Sequence, residues 1–443
     1  MSAIPSGAFP TTRRKVPGFN RTGTWEIDLN DPKKAEGSFA QVGSSPRRTH
    51  YTGRKLARVR SVADLRARTH KLMPRFVLEY LEGGAGQEAT LARERQAFAQ
   101  WRAMPFTLAD ETCRDVSANI LGRTAPLPLA IAPTGLNGIF KRNADIALAQ
   151  AAADAGIPFI QSTMSNSRME NVAAVPGLRH WWQLYVFGGD EIWQELVDRA
   201  ERAGCEALVL TSNAQIFGQR EWDERNRTAG GFPNLSALVD AACHPRWLAT
   251  TFSRGFPVFQ NVIDFVPKDQ RSFFDSANWI RDRMRKSLSW EDFAKIRERW
   301  RKPLFLKGVL NLEDVTRAID HGVDGVILGG HGGRQADWAI SPLDLLPRAK
   351  EIAKDRIALY ISGGVRRGSD ILKARALGAD AVLSGRAMLY GLCAHGAAGV
   401  SRAIELLRSE MVNELGQYGV PNLEALSPDL FVHEDRLPIR TSV

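Results

Sequence analysis

The chain has few cysteines for its length, and none of them forms a CxxC pair. Its 443 residues contain four, Cys113, Cys205, Cys243 and Cys393, which are far apart in the sequence. Neither a disulfide-stapled scaffold nor a zinc site of the CxxC type is therefore expected. A reducing, cytoplasmic compartment fits this cysteine usage best.

Long apolar runs are also missing. No stretch reaches the roughly 18 consecutive apolar residues that a transmembrane helix needs, and the N-terminus has no apolar core of a secretory signal. The sequence therefore predicts a protein that does not span a membrane. Peripheral contact with the inner membrane is the membrane role that stays open.

Outside the N-terminal segment, the chain lacks a charge excess. The net charge is +10, but residues 1–60 hold 12 Lys and Arg against 4 Asp and Glu. Subtracting these from the totals of 59 and 49 leaves 47 and 45 for the rest, a net charge of +2. We expect no nucleic-acid partner for this nearly neutral body. Residues 1–60 are predicted to be a basic flexible arm, either a solvated tail or a contact for an anionic surface or partner.

From residue 127 onward, short apolar runs alternate with amphipathic helical patterns, which is typical of a parallel α/β fold. Eight such runs begin at residues 127, 157, 180, 207, 303, 324, 358 and 381. Eight units favour a (β/α)8 TIM barrel over a doubly wound sheet, which would also carry a GxGxxG motif after its first strand. Two helices over residues 61–100 are predicted to cover the barrel as an N-terminal helical extension.

The barrel domain is predicted to span residues 61–430, followed by a C-terminal tail over 431–443. Its regularity breaks after strand 4, where an insertion at about 214–288 mixes aromatic and basic residues. A connection of this length is typical of a lid or of a contact surface. Both interpretations stay open.

Polar side chains follow most of the predicted strands. Because the carboxyl ends of barrel strands face one shared cavity, these side chains are the candidates for chemistry. In chain order they are Thr134, Ser162, Thr163, Gln183, Tyr185, Thr211, Asn213, Lys307, His331 and Arg334.

Glycine-rich loops follow strands 7 and 8. Gly363, Gly364 and Gly385 let backbone amides approach an anion, and Arg366 and Arg386 can add charge-assisted hydrogen bonds. A phosphate site is therefore predicted here, and two plain tight turns are the alternative.

One histidine has the neighbours that a catalytic base needs. A lone histidine is more often structural, but His331 has Arg334 beside it, and a guanidinium next to a base can hold a carboxylate while its neighbouring carbon is deprotonated. Arg220 can supply a second arm, although alone it would be interpreted as a surface arginine. Lys307 ends an apolar strand and needs a counter-charge, which an ion pair within the barrel could provide.

These residues and four motifs resemble the FMN-dependent 2-hydroxy-acid dehydrogenase/oxidase family, and within it the (S)-mandelate dehydrogenase branch. The motifs are EYLEGGAG (79–86), IAPTGLNG (131–138), HPRW (244–247) and AISPLDLL (339–346), and the resemblance covers about residues 65–430. It implies oxidation of a small (S)-2-hydroxy acid, mandelate- or lactate-like, to the 2-keto acid. It also implies bound FMN, electron transfer to quinone, a cytochrome or oxygen, and a homo-oligomer, a tetramer.

The resemblance also implies roles for individual residues. Tyr80 and Tyr185 would donate hydrogen bonds to substrate, Arg220 and Arg334 would hold its carboxylate, and His331 would be the base. Met164 takes the position of a pocket aromatic, and Lys307 would contact the N1/O2 edge of the flavin. The remaining FMN contacts would be Pro133, Thr134, Gly135, Ser162, Gln183 and Thr211 around the ring, and Gly363, Gly364, Arg366, Gly385 and Arg386 at the phosphate.

The chain departs from the family pattern at four positions. Asn213 replaces an aspartate that supports the histidine, Gly329 and Gly330 replace Ser-Asn, and Ser362 replaces an aspartate. An amide orients an imidazole but cannot stabilise its positive charge as a carboxylate does. A second hypothesis is therefore an FMN-binding barrel with weak or altered oxidase activity, acting on a modified substrate or as a regulatory partner. A metal-dependent aldolase barrel lacks a carboxylate ligand set at the strand ends, so no metal is expected.

Overall fold

A computed structural model of the protein describes residues 53–109, 114–228, 233–253 and 255–436. Most of the predicted basic arm, residues 1–52, lies outside the described residues. Residues 53–60 of that segment lie against the barrel, since Val59 is fully buried and the Gly53 carbonyl is hydrogen-bonded to His395 Nε2 at 2.8 Å.

Eight parallel strands close into a barrel in which each strand pairs with the next along the chain and the eighth pairs with the first. This confirms the predicted TIM barrel, and each of the eight apolar runs overlaps one strand. The strands are β1 (Leu129–Ile131), β2 (Pro158–Ser162), β3 (Arg179–Leu184), β4 (Ala207–Thr211), β5 (Leu304–Val309), β6 (Gly325–Leu328), β7 (Ala358–Ser362) and β8 (Ala381–Ser384).

Aromatic rings fill the barrel interior. Trp181 on β3, Phe305 on β5 and Tyr360 on β7 are buried, and the Phe305 ring centroid lies 5.1 Å from each of the other two. Alanines on neighbouring strands, such as Ala130 and Ala207, join the same cluster and leave room for the rings. The centre is therefore a packed core, and chemistry has to take place at the strand ends.

Three helices precede the barrel, where two were predicted. They are α1 (Val62–Leu72), α2 (Arg75–Glu82) and α3 (Ala89–Ala99). Pro74 separates the first two, because a proline disfavours helical geometry in the residue before it, and Met73 is extended with ψ 141°. The helical extension is confirmed, but its division into two helices was wrong.

Helices α4 (Ala144–Asp154), α5 (Met169–Ala173) and α6 (Asp190–Arg202) follow the first three strands. After the insertion, α11 (Trp290–Arg299), α12 (Leu312–Asp320), α13 (Pro342–Ala353), α14 (Gly368–Ala376), α15 (Arg386–His395) and α16 (Ala397–Tyr418) complete the outer layer. None of the helices that the structure describes is both long and apolar enough to cross a membrane.

The insertion after β4 is mostly helical. It contains α7 (Glu221–Arg225), α8 (Leu235–Ala242), α9 (Pro245–Phe252) and α10 (Phe273–Asp282), with short 3-10 turns at Ile263–Phe265 and Lys268–Gln270. Trp247 and Phe259 are buried, whereas Leu235 is 77% and Phe256 is 66% exposed. Some apolar residues of the insertion therefore pack in the core, and others are exposed to solvent.

The segment predicted as a C-terminal tail begins as part of the fold. Phe431–His433 pairs antiparallel with Trp101–Ala103, and Phe431 is buried. A second small hairpin joins Ala118–Ile120 to Arg123–Ala125. Residues 437–443 of the predicted tail lie outside the described residues.

Candidate active site

A cavity of about 520 Å³ opens at the carboxyl ends of the barrel strands. It is lined by every predicted substrate and FMN contact except Gln183 and Thr211, which are buried. The strand-end candidates Thr163 and Asn213 also lie outside the lining. Gln183 faces Ser162 in the β2–β3 pairing and accepts a hydrogen bond from its Oγ at 2.9 Å, and Thr211 faces Lys307 in the β4–β5 pairing. The lining residues among the predicted set are Tyr80, Pro133, Thr134, Gly135, Ser162, Met164, Tyr185, Arg220, Lys307, His331, Arg334, Gly363, Gly364, Arg366, Gly385 and Arg386.

His331 adopts a left-handed backbone conformation just after β6. Its φ is 58°, and the two following glycines, Gly332 and Gly333, have φ of 67° and 71°. A left-handed conformation is unfavourable for a residue with a side chain, so it persists only where the surroundings hold it. The turn ends the strand abruptly and places the imidazole in the cavity.

The His331 ring is held by two hydrogen bonds. Asn213 Nδ2 donates to the Gly329 carbonyl at 3.1 Å, which leaves Asn213 Oδ1 to accept from His331 Nδ1 at 3.2 Å. Tyr185 lies on the other side, with its hydroxyl 3.2 Å from Nε2. This arrangement fixes the proton on Nδ1, so Nε2 is the basic nitrogen and its lone pair accepts a hydrogen bond from the Tyr185 hydroxyl at the cavity.

The electrostatic environment keeps this imidazole neutral. Burial is the main cause of a pKa well below the ordinary histidine value, and the positive charges of Lys307, Arg334, Arg220 and Arg386 lower it further. With an amide rather than a carboxylate at position 213, no negative charge at Nδ1 opposes these effects. His331 is therefore unprotonated at neutral pH, as a base must be.

Two arginines and a carboxylate form one cluster beside His331. Arg220 Nη1 lies 3.3 Å and Arg334 Nη2 lies 3.9 Å from Asp223 Oδ2, and Asp223 is only 8% exposed. The Arg334 Nη1 group also donates to the carbonyls of Tyr80 at 2.5 Å and Gly83 at 3.1 Å. These contacts hold both guanidinium groups at the cavity wall, where they can bind a carboxylate.

Tyr80 comes from α2 rather than from the barrel. Its hydroxyl donates to the Gly135 carbonyl at 3.4 Å, and the guanidinium carbons of Arg334 and Arg220 lie 4.8 and 5.8 Å from its ring centre. The N-terminal helices therefore complete the cavity that the strand ends begin. Beside this contact, a Cβ on Gly135 would lie 2.8 Å from the Met164 Cβ, so only glycine fits here without displacing Met164.

The two predicted phosphate arginines differ in their present partners. Arg386 donates to three carbonyls, those of Leu81, Gly332 and Gly83, at 3.0, 2.8 and 3.1 Å. Arg366 donates to the Val365 carbonyl at 2.7 Å, and its buried Nε has no partner among the described residues. Arg366 therefore has more donors available for an anion, whereas Arg386 mainly ties the loops around the cavity together.

The chain is similar in sequence and in structure to known proteins. Residues 69–433 match the model of the family described as FMN-dependent dehydrogenase. The chain is 42% identical over 375 residues to (S)-mandelate dehydrogenase of Pseudomonas putida, which covers 84% of this chain and 94% of that one. The chain belongs to the FMN-dependent dehydrogenase family.

Further relatives show the range of this family. The chain is 35% identical to an L-lactate oxidase of Lysinibacillus sphaericus, covering 85% of this chain and 94% of the other. Among solved structures, one described as the monotopic membrane protein (S)-mandelate dehydrogenase superposes with a TM-score of 0.81 at 41% identity, covering 85% of this chain and all of that one.

The residues of the cavity fit the FMN that this family uses. Buried polar atoms at the strand ends have no hydrogen-bond partner among the described residues, and unpaired buried polar atoms are costly unless a ligand satisfies them. They are Thr134 Oγ1, Gln183 Nε2, Thr211 Oγ1, Ser384 Oγ and Arg366 Nε. FMN has the donors and acceptors for these groups, and Gly364 and Gly385 of the strand 7 and 8 loops line the same cavity.

Some functional residues lay beyond the sequence-based predictions. The i+3 spacing between Arg220 and Asp223 could have indicated this ion pair. An acidic residue repels a substrate carboxylate, however, so the sequence alone would not predict Asp223 beside a carboxylate clamp. The apolar cavity wall from the insertion was missed because nothing in its sequence indicates which side faces inward. That wall consists of Phe217, Phe259, Ala277 and Ile280, with Arg281 beside them.

Proposed function

We propose that this protein oxidises an (S)-2-hydroxy acid with a bulky apolar side chain to the 2-keto acid, and that the residues above bind the acid and FMN together. The observation that carries the proposal is the neutral His331, whose Nε2 faces the same cavity as the paired guanidinium groups of Arg220 and Arg334. A base beside a carboxylate clamp is the arrangement that a 2-hydroxy acid requires.

In the proposed reaction, Arg334 and Arg220 bind the substrate carboxylate, and Asp223 keeps the two guanidinium groups together. Tyr185 and Tyr80 donate hydrogen bonds to the substrate oxygens. His331 Nε2 accepts one of the two protons that the substrate loses on becoming a keto acid. FMN held by the strand-end residues would supply the two-electron acceptor: it would take up the electron pair with the second proton, and an external acceptor would later reoxidise it.

The side chain of the substrate is proposed to be aromatic or long and aliphatic. The lining of the cavity that holds the arginines includes the apolar side chains of Phe140, Phe217, Phe259, Ile280 and Met164. Such a wall gains free energy by burying apolar area, roughly 25 cal/mol per Å², which a methyl group provides only in small part. Mandelate-like acids should therefore be better substrates than lactate.

An anaerobic screen of 2-hydroxy acids tests this proposal. The purified protein should contain FMN, and mixing it with an aromatic (S)-2-hydroxy acid should bleach the flavin absorbance quickly, with the (R)-acid as the control. A flavin that no 2-hydroxy acid reduces would leave the alternative of an FMN-binding barrel with weak or altered activity.

The proposed electron acceptor is linked to a proposed contact with the membrane. We infer that electrons pass to a membrane quinone and that the insertion contacts the membrane surface, since Leu235, Leu238, Val239 and Phe256 are each more than half exposed. A cytochrome and oxygen are the other acceptors that the test must include. A homo-oligomer, a tetramer, remains a prediction, and light scattering on the purified protein would check it.

A further inference from the structure

Glu94 is a buried carboxylate that the proposed reaction does not use. It lies on α3 in the stripe of residues that face the barrel, together with Thr90, Ala97 and Phe98, and it is 1% exposed. Among the described residues, the Gly330 backbone amide is near enough to lower the pKa of Glu94, but neither carboxylate oxygen has a partner of full hydrogen-bond geometry. A carboxylate in such a place is strongly unfavourable unless positive charges lie nearby.

The Glu94 carboxylate lies against the backbone of the two loops that form the rear wall of the flavin site. A Cβ on Gly363, after β7, would lie 2.6 Å from Glu94 Cδ, and one on Gly330, after β6, would lie 2.9 Å from Glu94 Oε1. Glycine at these positions is therefore what leaves room for the carboxylate. The side chain reaches from a helix outside the barrel to the ends of its strands.

Three cations face this carboxylate from the elements around it. They are Lys307 on β5, Arg366 in the loop after β7 and Arg386 at the start of α15, and Arg95 on the same helix acts on Arg366. Burial raises the pKa of Glu94 to about 7, although the three cations act to lower it. Burial also lowers the pKa of Lys307 to about 8, and Glu94 is the negative charge that opposes this shift.

The position of Glu94 also accounts for two departures from the family pattern. Where the resemblance implies Asn and Asp, this chain has Gly330 and Ser362. The carboxylate of Glu94 occupies space that a side chain at position 330 would need, and it supplies an acidic group next to the loop in which Ser362 carries none. Glu94 therefore supplies a carboxyl group from the helix at a loop that has none of its own.

We propose that Glu94 is a positioning residue of the flavin site, whose negative charge, acting through Lys307, sets how strongly bound FMN attracts an electron pair. The proposal rests on the proposed contact between Lys307 and the N1/O2 edge of FMN. An ionised Glu94 offsets the positive field of Lys307 at the flavin. Removing that charge leaves the field unopposed and favours every flavin state that carries negative charge.

Sulfite binding to the FMN-containing protein tests this without any substrate, because sulfite adds to flavins as an anion and bleaches them. Wild type and Glu94→Gln are compared with Glu94→Asp, which keeps the charge, and with Glu351→Gln, which removes an exposed charge on α13. Dissociation constants and the midpoint potential of the flavin are measured from about pH 5.5 to about pH 8.5.

At about pH 7.5, where wild-type Glu94 is ionised and the anionic sulfite adduct keeps Lys307 protonated, Glu94→Gln should bind sulfite up to about tenfold more tightly than wild type and should have a higher midpoint potential. Two charges within about 10 Å of each other interact by at least the energy of a tenfold change when the effective dielectric constant is about 20. At about pH 5.5, where wild-type Glu94 is protonated, the two proteins should bind alike. Glu94→Asp and Glu351→Gln should follow wild type.

Equal sulfite affinities for wild type and Glu94→Gln at every pH would overturn the proposal. So would a variant that only retains less FMN while its bound flavin keeps the wild-type potential, since that result assigns Glu94 a packing role. Failure of the proposed function is separate: it would appear as wild-type flavin that binds sulfite but that no hydroxy acid reduces.

Discussion

At the scale of single residues, the unusual feature is the amide next to the proposed base. Asn213 orients His331 as well as an aspartate would, through hydrogen bonds to Nδ1 and to the Gly329 carbonyl. It does not stabilise the imidazolium that forms when His331 takes a proton. The surrounding cations therefore act on the base without opposition, and proton transfer becomes harder.

Asn213→Asp should speed flavin reduction by a good hydroxy-acid substrate, because the carboxylate stabilises the protonated imidazole. It should also raise the pKa of His331, so the reduction rate of the variant should begin to fall at a higher pH than in wild type as the solution is acidified. Stopped-flow reduction across pH measures both effects. His331→Ala should nearly abolish reduction.

An aspartate variant that is no faster with any hydroxy acid would mean that Asn213 is fitted to a different substrate or support geometry. Normal reduction by the alanine variant would remove His331 as the base.

Arg334→Lys should raise the barrier for 2-hydroxy acids by a few kcal/mol in kcat/KM, because lysine cannot reproduce the planar two-point contact with a carboxylate. Substrate esters should be much poorer than acids for wild type, and the variant should discriminate less between them. The flavin spectrum serves as the control for an intact site. Unchanged kcat/KM across hydroxy acids would show that Arg334 is not part of the clamp.

At the scale of elements, the insertion combines two tasks that sequence patterns present as alternatives. Phe259 and α10 contribute to the cavity wall, as a lid does, whereas α8 exposes Leu235 at 77% and Val239 at 58%. A helix that packs on one side and presents apolar residues to solvent on the other is typical of an interfacial contact.

Replacing Leu235, Leu238 and Val239 together by serine should reduce binding to anionic lipid vesicles at low salt while substrate oxidation with a soluble acceptor stays unchanged. Leu108→Ser, at a position 99% exposed outside the insertion, is the matched control. Co-sedimentation with vesicles provides the measurement. If wild type does not bind vesicles, the membrane role is wrong, and if binding disappears only on removal of residues 1–60, the basic arm is the contact.

The two loops after β7 and β8 should respond differently to loss of their arginines. Arg366→Ala should lower FMN affinity directly, because Arg366 has donors available for phosphate. Arg386→Ala should lower FMN occupancy and the thermal stability of the FMN-free protein as well, because its three carbonyl contacts join α2 to the loop after β6. Flavin fluorescence titration and thermal unfolding separate the two effects, and equal stability losses would contradict the distinction.

At the scale of the whole molecule, buried charge makes stability depend on pH. The folded-state pKa of Glu94, about 7, lies above its ordinary value of 4.5, so its protonated form stabilises the fold. That contribution is complete below about pH 4.5 and is lost as the pH rises through 7. The loss amounts to about 3 kcal/mol, from roughly 1.4 kcal/mol per pKa unit.

Glu94→Gln should therefore raise the free energy of unfolding of the FMN-free protein by up to about 3 kcal/mol at about pH 8 and change it little at about pH 4.5. Urea unfolding at the two pH values gives the comparison. A variant that is less stable than wild type at about pH 8 would mean that Glu94 is stabilised there by its cations rather than strained.

Much of the site could be predicted from the sequence because barrel geometry is regular. Once eight strands are recognised, the loops at their carboxyl ends surround one cavity, so the sequence predicts that Lys307, His331 and Arg334 lie together. Helix positions on the outside were less certain: the break at Pro74 divides the N-terminal segment into one more helix than predicted.

The sequence alone determined the fold class, the set of strand-end residues and the family, because each depends on local periodicity or on motifs at fixed spacing. The tertiary structure decided how charges are paired, since partners such as Asp223 and Arg334, or Glu94 and Lys307, are brought together only by long-range folding. It also decided which arginine is available to phosphate and which apolar residues of the insertion face the cavity. Burial and distance set the energies of those contacts, and neither can be derived from the order of residues along the chain.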